Sequence, residues 1–231
     1  MPLLDIIALI VFVLCWLFYE PMLKRLSIGR HLNSNMTIVR SAWMANMAAR
    51  ESRFIDAQLM GHALNSASFF ASTNLIVIAG AAGVLFGGER SYRSLEGVVM
   101  LDPGSRLMFQ IKLTLMMIIL ARGLLDFIWA IRQMNYTLAA IGAAPEKPEP
   151  KVAKAYGEAV SLLINPALGS FNAGVRGYYF ALACTAWLAG PIPFCLATVG
   201  ATGLLVWRQS SASAAKGVRK LREILDAHRP D

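Results

Sequence analysis

The sequence predicts an all-α, multi-pass transmembrane bundle of about five spans, with a long cytoplasmic amphipathic helix beside it. Three observations predict this class. Apolar residues make up 56% of the 231 and charged residues only 16%, against roughly 25% charged in soluble domains. Apolar stretches long enough to cross a bilayer recur along the chain. The charges, net +8 at pH 7, collect between those stretches. A soluble core of this size needs more polar surface than a mean hydropathy of +0.52 leaves.

The first span covers about 3–23, broken only by Asp5 and Glu20. A secretory signal peptide carries its basic residues before the apolar run. Here Lys24, Arg25 and Arg30 follow it, so the segment reads as a retained anchor with its amino terminus outside. Residues 34–65 read as a cytoplasmic helix. Met36, Trp43, Met47, Phe54, Ile55 and Leu59 recur at helical spacing, and Arg40, Arg50, Glu51, Arg53 and Asp56 mostly fall off that stripe. No proline interrupts 34–87, so this helix can run on into the second span, about 68–87.

The third span covers about 107–134 and carries Lys112, Arg122, Asp126 and Arg132. Pro145, Pro148 and Pro150 then predict an extended linker over 144–151. Val152 to Ile164 suits a short helix that stops at Asn165-Pro166. The last apolar stretch is divided by Gly190-Pro191-Ile192-Pro193, and charge decides how to read it. Segments 24–65, 132–176 and 208–231 hold six, five and six Lys or Arg, whereas the 88–106 loop holds three, balanced by Glu89, Glu96 and Asp102. A hairpin of two spans, 171–190 and 191–208, puts all three basic segments on the cytoplasmic side. A single broken crossing gives four spans and loses the bias. The tail, 212–231, sets Val218, Leu221, Ile224 and Leu225 beside Lys216, Arg219, Lys220 and Arg222, a basic amphipathic helix suited to anionic lipid.

Little in the sequence carries chemistry. There is no GxxxxGK[ST] loop, GxGxxG turn, HExxH helix or GxSxG elbow, and His31, His62 and His228 lack metal-ligand spacing. Neither a metal nor a cofactor is expected. Cys15, Cys184 and Cys195 have no CxxC spacing and read as packing residues. Ala79, Gly83 and Gly87 recur every four residues, a pattern that lets a second helix approach. Arg122 and Asp126 share a helix face at membrane depth, where a charge costs roughly 2.5–3.5 kcal/mol on insertion scales. They suggest an ion route or a structural ion pair with equal force. Asn74 is a further polar candidate inside a span, and Arg176 suits an interfacial anchor or a partner of Asp126. Lys112 suits snorkelling to the outer surface.

Several strings, DIIALIVFVLCWLFYE, ARESRFIDAQLMGHALNSASFFAST, FIWAIRQMNY and FNAGVRGYYFALA, together resemble the membrane-protein family catalogued as domain of unknown function 599. The resemblance covers nearly the whole chain. It implies a multi-pass membrane protein with bacterial and plant relatives, and it supplies no catalytic residue. The positions of interest on its strings are Arg50, Glu51, Arg53, Asp56, Arg132, Asn135, Asn172 and Arg176.

These readings place the chain in a bacterial inner membrane, amino terminus out and carboxyl terminus in. They favour an oligomeric ion channel or small-solute transporter, with a non-catalytic subunit or scaffold as the second reading. A lipid-directed enzyme comes last. Lipid, further copies or other membrane proteins are the expected partners. Nucleic acid is not, because topology accounts for the basic charge.

Overall fold

The structure is a computed structural model that describes residues 3–27, 31–96, 98 and 104–227. Arg30, Asp102 and His228 fall outside the described residues, as does the end of the tail. Among the described residues eight α-helices follow one another: α1 (Leu3–Ser27), α2 (Leu32–Ala49), α3 (Phe54–Phe86), α4 (Gly88–Glu96), α5 (Arg106–Gly142), α6 (Pro150–Thr185), α7 (Pro191–Ser210) and α8 (Ser213–Ala227). A 3₁₀ turn, Ala186–Ala189, joins α6 to Gly190, whose φ of 111° only glycine adopts easily. No strand occurs among the described residues.

Among the described residues four stretches are long and apolar enough to cross a membrane: Leu3–Leu23, Phe54–Phe86, Arg106–Gly142 and Pro191–Ala227. Their side chains are arranged for lipid. On α1, Leu3, Leu4, Ile6, Ile7, Ile10 and Leu14 face outward, whereas Asp5 is buried. In water that pattern is inside out; in a bilayer the outward leucines stay solvated by acyl chains and the carboxylate is shielded.

The chain divides into two compact units. Unit one holds residues 1–26, 72–125 and 174–206; unit two holds 27–71, 126–173 and 207–231. The core of unit one is aromatic. Trp187 stacks on Phe194 at 4.7 Å, Phe194 meets Phe12 at 5.0 Å, and Phe12 meets Phe180 edge-on. Arg176 on α6 pairs with Glu20 near the far end of α1, while Trp187 bonds to Asp5 near its start. The last part of α6 thus runs antiparallel to α1 along most of its length. Unit two is built on methionine and alanine: Met44, Met47, Met60, Ala130, Met134, Ile164 and Ala167 form its core. Gly157 of α6 lets α2 come close, because a Cβ there would lie 2.5 Å from the Ala45 Cα.

Three expectations need correction. The helix expected over 34–65 is two helices: α2 ends at Ala49, Arg50 is extended at φ −77° and ψ 146°, and α3 starts at Phe54. The break resets the helical phase. Phe54, Ile55 and Leu59 therefore point outward, and Asp56, Met60, Ala67, Asn74 and Ala81 form the inner stripe of α3. Arg40, expected off the stripe, is buried.

The second correction is at Asn165-Pro166, where no helix stops; Pro166 lies inside the 36-residue α6. A mid-helix proline costs about 3 kcal/mol. Ile164 and Ala167, both buried in the unit-two core, flank it, and full burial of an isoleucine alone returns roughly 1.5–3 kcal/mol. Pro166 itself is exposed, so its lost bond falls on the outer side. The third concerns the linker expected over 144–151, which is shorter, because α6 begins at Pro150 with proline in the position it tolerates best.

Candidate functional site

Apolar helices seldom carry charges, and unit one buries two. Asp5 is 6% exposed on α1 and Lys112 is 4% exposed on α5. Both meet at one indole: Trp187 Nε1 donates to Asp5 Oδ1 at 2.7 Å, and Lys112 Nζ lies 5.9 Å from the Trp187 ring centre. That is within cation–π range. The Cys184 thiol donates weakly to the Lys112 carbonyl at 3.8 Å. Asp5 stands near the start of α1, Lys112 near the start of α5, and Trp187 beside the Gly-Pro-Ile-Pro turn, so all three collect at one end of unit one. An acid and an ammonium grip opposite features of one rigid side chain, in surroundings where charge–charge forces are weakly screened.

Lys112 was expected to snorkel outward, and Asp5 was noted only as an interruption of the first span. The available signal was positional. If α1 and α5 run the same way, their first two turns lie at the same end, and each carries one ionisable residue there.

The pair expected at membrane depth lies further along α5. Arg122 lies on the exposed side of α5, and Asp126, one turn later, is half-buried. Asn74 is 1% exposed and donates through Nδ2 to the Leu120 carbonyl at 2.9 Å, cross-linking α3 to α5. Arg176 Nη2 is 3.6 Å from Glu20 Oε2, and its guanidinium lies over Tyr19 at 5.2 Å. Ala79, Gly83 and Gly87 are exposed, and nothing lies within 4 Å of a Cβ built on Gly83. The close approach of helices in unit one is made elsewhere, by Gly123 on α5 and Gly177 on α6, where a Cβ on Gly177 would sit 3.6 Å from the Gly123 Cα.

The family-string residues divide sharply. Asp56 is fully buried; its Oδ1 accepts from Trp43 Nε1 at 2.7 Å and pairs with Arg50. Arg53 Nη2 donates to the Pro145 carbonyl at 2.6 Å, tying the α2–α3 break to the proline linker. Asn172 donates to Asn33 Oδ1 at 3.0 Å. These residues staple the helices of unit two. Glu51 and Asn135 are exposed, and Arg132 Nε bonds the exposed Tyr136 hydroxyl at 3.1 Å. Arg40, which sequence reasoning put on the polar face, is buried without an ion-pair partner among the described residues, and burial lowers its pKa.

Among the described residues no group of three or more His, Cys, Asp or Glu is placed to hold a metal ion. All three cysteines are free thiols. No curated protein and no solved structure matches the chain. A family model does, over residues 7–214, which takes in Lys112, Trp187 and the stapled α2–α3 break and begins two residues after Asp5. The chain therefore belongs to the family described as "Protein of unknown function, DUF599".

Proposed function

We propose that this integral membrane protein passes an ion or small charged solute, with Asp5 and Lys112 as the groups that meet it. One observation carries the reading: two ionisable side chains are more than nine-tenths buried inside an apolar unit and meet at Trp187. Ionisable residues inside membrane helices are costly and usually functional. The charge count supports five crossings in a bacterial inner membrane, amino terminus outside, which puts this cluster at the outer end. The antiparallel course of α6 along α1 supports α6 as the fourth crossing. Arg122 and Asp126 then lie deeper along α5. No enzymatic step is proposed.

The test is flux in liposomes of purified protein. A proton, sodium, potassium or chloride flux is expected, reduced at least tenfold in Asp5→Asn and Lys112→Met and better retained in Lys112→Arg. A wild-type bilayer impermeable to all four, or variants that pass them unchanged, overturns the reading.

A second reading, a non-catalytic subunit of a larger membrane complex, rests on the outer face of α3. Phe54, Ile55, Leu59 and Phe69 are exposed there, along with Ala79 and Gly83. Such a face suits either further copies of this chain or another membrane protein. Mild-detergent purification yielding other membrane proteins in fixed ratio supports it, and recovery of the chain alone or with its own copies counts against it.

A further inference from the structure

We infer that α8 is an in-plane helix that binds the headgroups of an anionic phospholipid leaflet. The apolar stretch from Pro191 to Ala227 does not continue as one helix: α7 ends at Ser210, a turn occupies Ser211 and Ala212, and α8 starts at Ser213. The Ser211 and Ala212 amides both donate to the Trp207 carbonyl, closing α7 before α8 begins. Composition changes across the turn, from Leu204, Leu205, Val206 and Trp207 before it to Lys216, Arg219, Lys220 and Arg222 after it. Trp207 itself is 55% exposed, an aromatic at the end of a crossing stretch as at many membrane–water boundaries.

One side of α8 is already occupied. Ala215 is buried, α8 packs on α2, and Arg222 donates to Asn35 Oδ1 at 3.0 Å while pairing with Asp226. Arg219 reaches the Ser210 carbonyl. The other side is largely exposed. Lys216, Lys220, Leu221 and Ile224 are all exposed, and at about 100° per residue they fall within one arc of roughly 140°.

This combination selects its occupant. A face meant for water has no reason to show Leu221 and Ile224 half-exposed, and a face meant for acyl chains excludes two lysines. A helix lying at headgroup depth satisfies both, its leucine and isoleucine entering the acyl boundary and its ammonium groups meeting lipid phosphates. The two-residue link, Ser211 and Ala212, joins it directly to the end of α7. Lys216 and Lys220 outnumber the exposed carboxylate at the edge of this face, Glu223, so the face stays net positive and discriminates between a negatively charged leaflet and a zwitterionic one.

The full-length protein is reconstituted in phosphatidylcholine bilayers with and without phosphatidylglycerol, and spin-labelled lipids report the preference of its boundary for each headgroup. The wild type is expected to prefer phosphatidylglycerol, less so as salt rises. Lys216→Gln/Lys220→Gln is expected to weaken that preference by up to about fivefold per lysine, and Arg90→Gln on α4 to leave it unchanged. Amide exchange gives a second reading: α8 is slowed by phosphatidylglycerol in the wild type and not in Leu221→Ser/Ile224→Ser. Unchanged selectivity in a lysine variant that still elutes and absorbs like the wild type overturns the inference. Equal protection of α8 with and without phosphatidylglycerol does so too, and shows that protein covers this face instead.

Discussion

At the scale of single residues, the buried polar groups divide into those that hold the fold and those to which the proposed flux assigns a role. Asp56 belongs to the first kind. Asp56→Asn removes the charge that Arg50 pairs with and weakens the Trp43 bond inside a fully buried site, so a loss of about 1–3 kcal/mol is expected from unfolding in detergent. Its flux is expected to stay at the wild-type level. Asn74 gives a smaller effect. Its α3–α5 hydrogen bond resembles those worth about 0.6 kcal/mol in other membrane helices, and Asn74→Ala is expected to cost no more than about 2 kcal/mol on the same scale. Larger losses in that variant imply that the unbonded Asn74 Oδ1 also has a role. Outside the spans, the exposed Glu89 is held below the ordinary carboxylate range by its hydrogen bond from Arg93. A depressed carboxyl contributes stability above its unfolded value, near 4.5, and loses it as pH falls through the folded value. A carbon-detected titration is expected to place Glu89 below the exposed glutamates, and titration at the ordinary position refutes the pairing.

At the scale of elements, glycine separates tight helix contacts from open ones. Gly157→Ala drives a methyl into the Ala45 backbone and is expected to cost about 1–3 kcal/mol. Gly80 has nothing within 4 Å of a built Cβ, so Gly80→Ala is expected to be neutral or to stabilise by up to about 1 kcal/mol. Equal losses at both positions contradict the α2–α6 contact. The same contrast explains what was legible in the sequence. The apolar lengths of α1, α5 and α7 stand out because a span needs some twenty apolar residues. The α2–α3 break does not, since Arg50-Glu51-Ser52-Arg53 contains neither proline nor glycine. What ends α2 there is tertiary: Arg50 turns to reach Asp56 and Arg53 reaches Pro145, a partner 92 positions away. Pro166 misleads for the complementary reason, because propensity predicts a stop and core packing on both sides overrides it. The Asp5–Trp187–Lys112 contact was invisible because its members are far apart in the chain and each has an ordinary explanation alone.

At the scale of the whole molecule, the basic residues are unevenly distributed between the apolar stretches. The hairpin reading gathers seventeen basic residues on one side and leaves three on the other, and on that reading the lysines of α8 stay with the basic side. Cysteine substitutions at Ser213 and Ser91, probed in intact cells with an impermeant thiol reagent, are expected to react from opposite sides, Ser91→Cys from outside and Ser213→Cys only after the membrane is opened. Reaction of Ser213→Cys in intact cells requires a single crossing in the last apolar stretch and moves α8 to the outer leaflet. The fold class and the family were readable from composition and a few strings. The site was not, because its depth and its indole bridge depend on how three helices assemble.

The division of α3, α5 and α6 between the two units has a genetic consequence. Residues 54–71 of α3 belong to one unit and 72–86 to the other, and the same holds on either side of Asp126 and Gly174. Each unit is built from three separate stretches of chain, so no single continuous fragment contains either one whole. Internal deletions across 71–72, 125–126 or 173–174 are expected to damage both halves at once, whereas single-residue changes can assign a role to one.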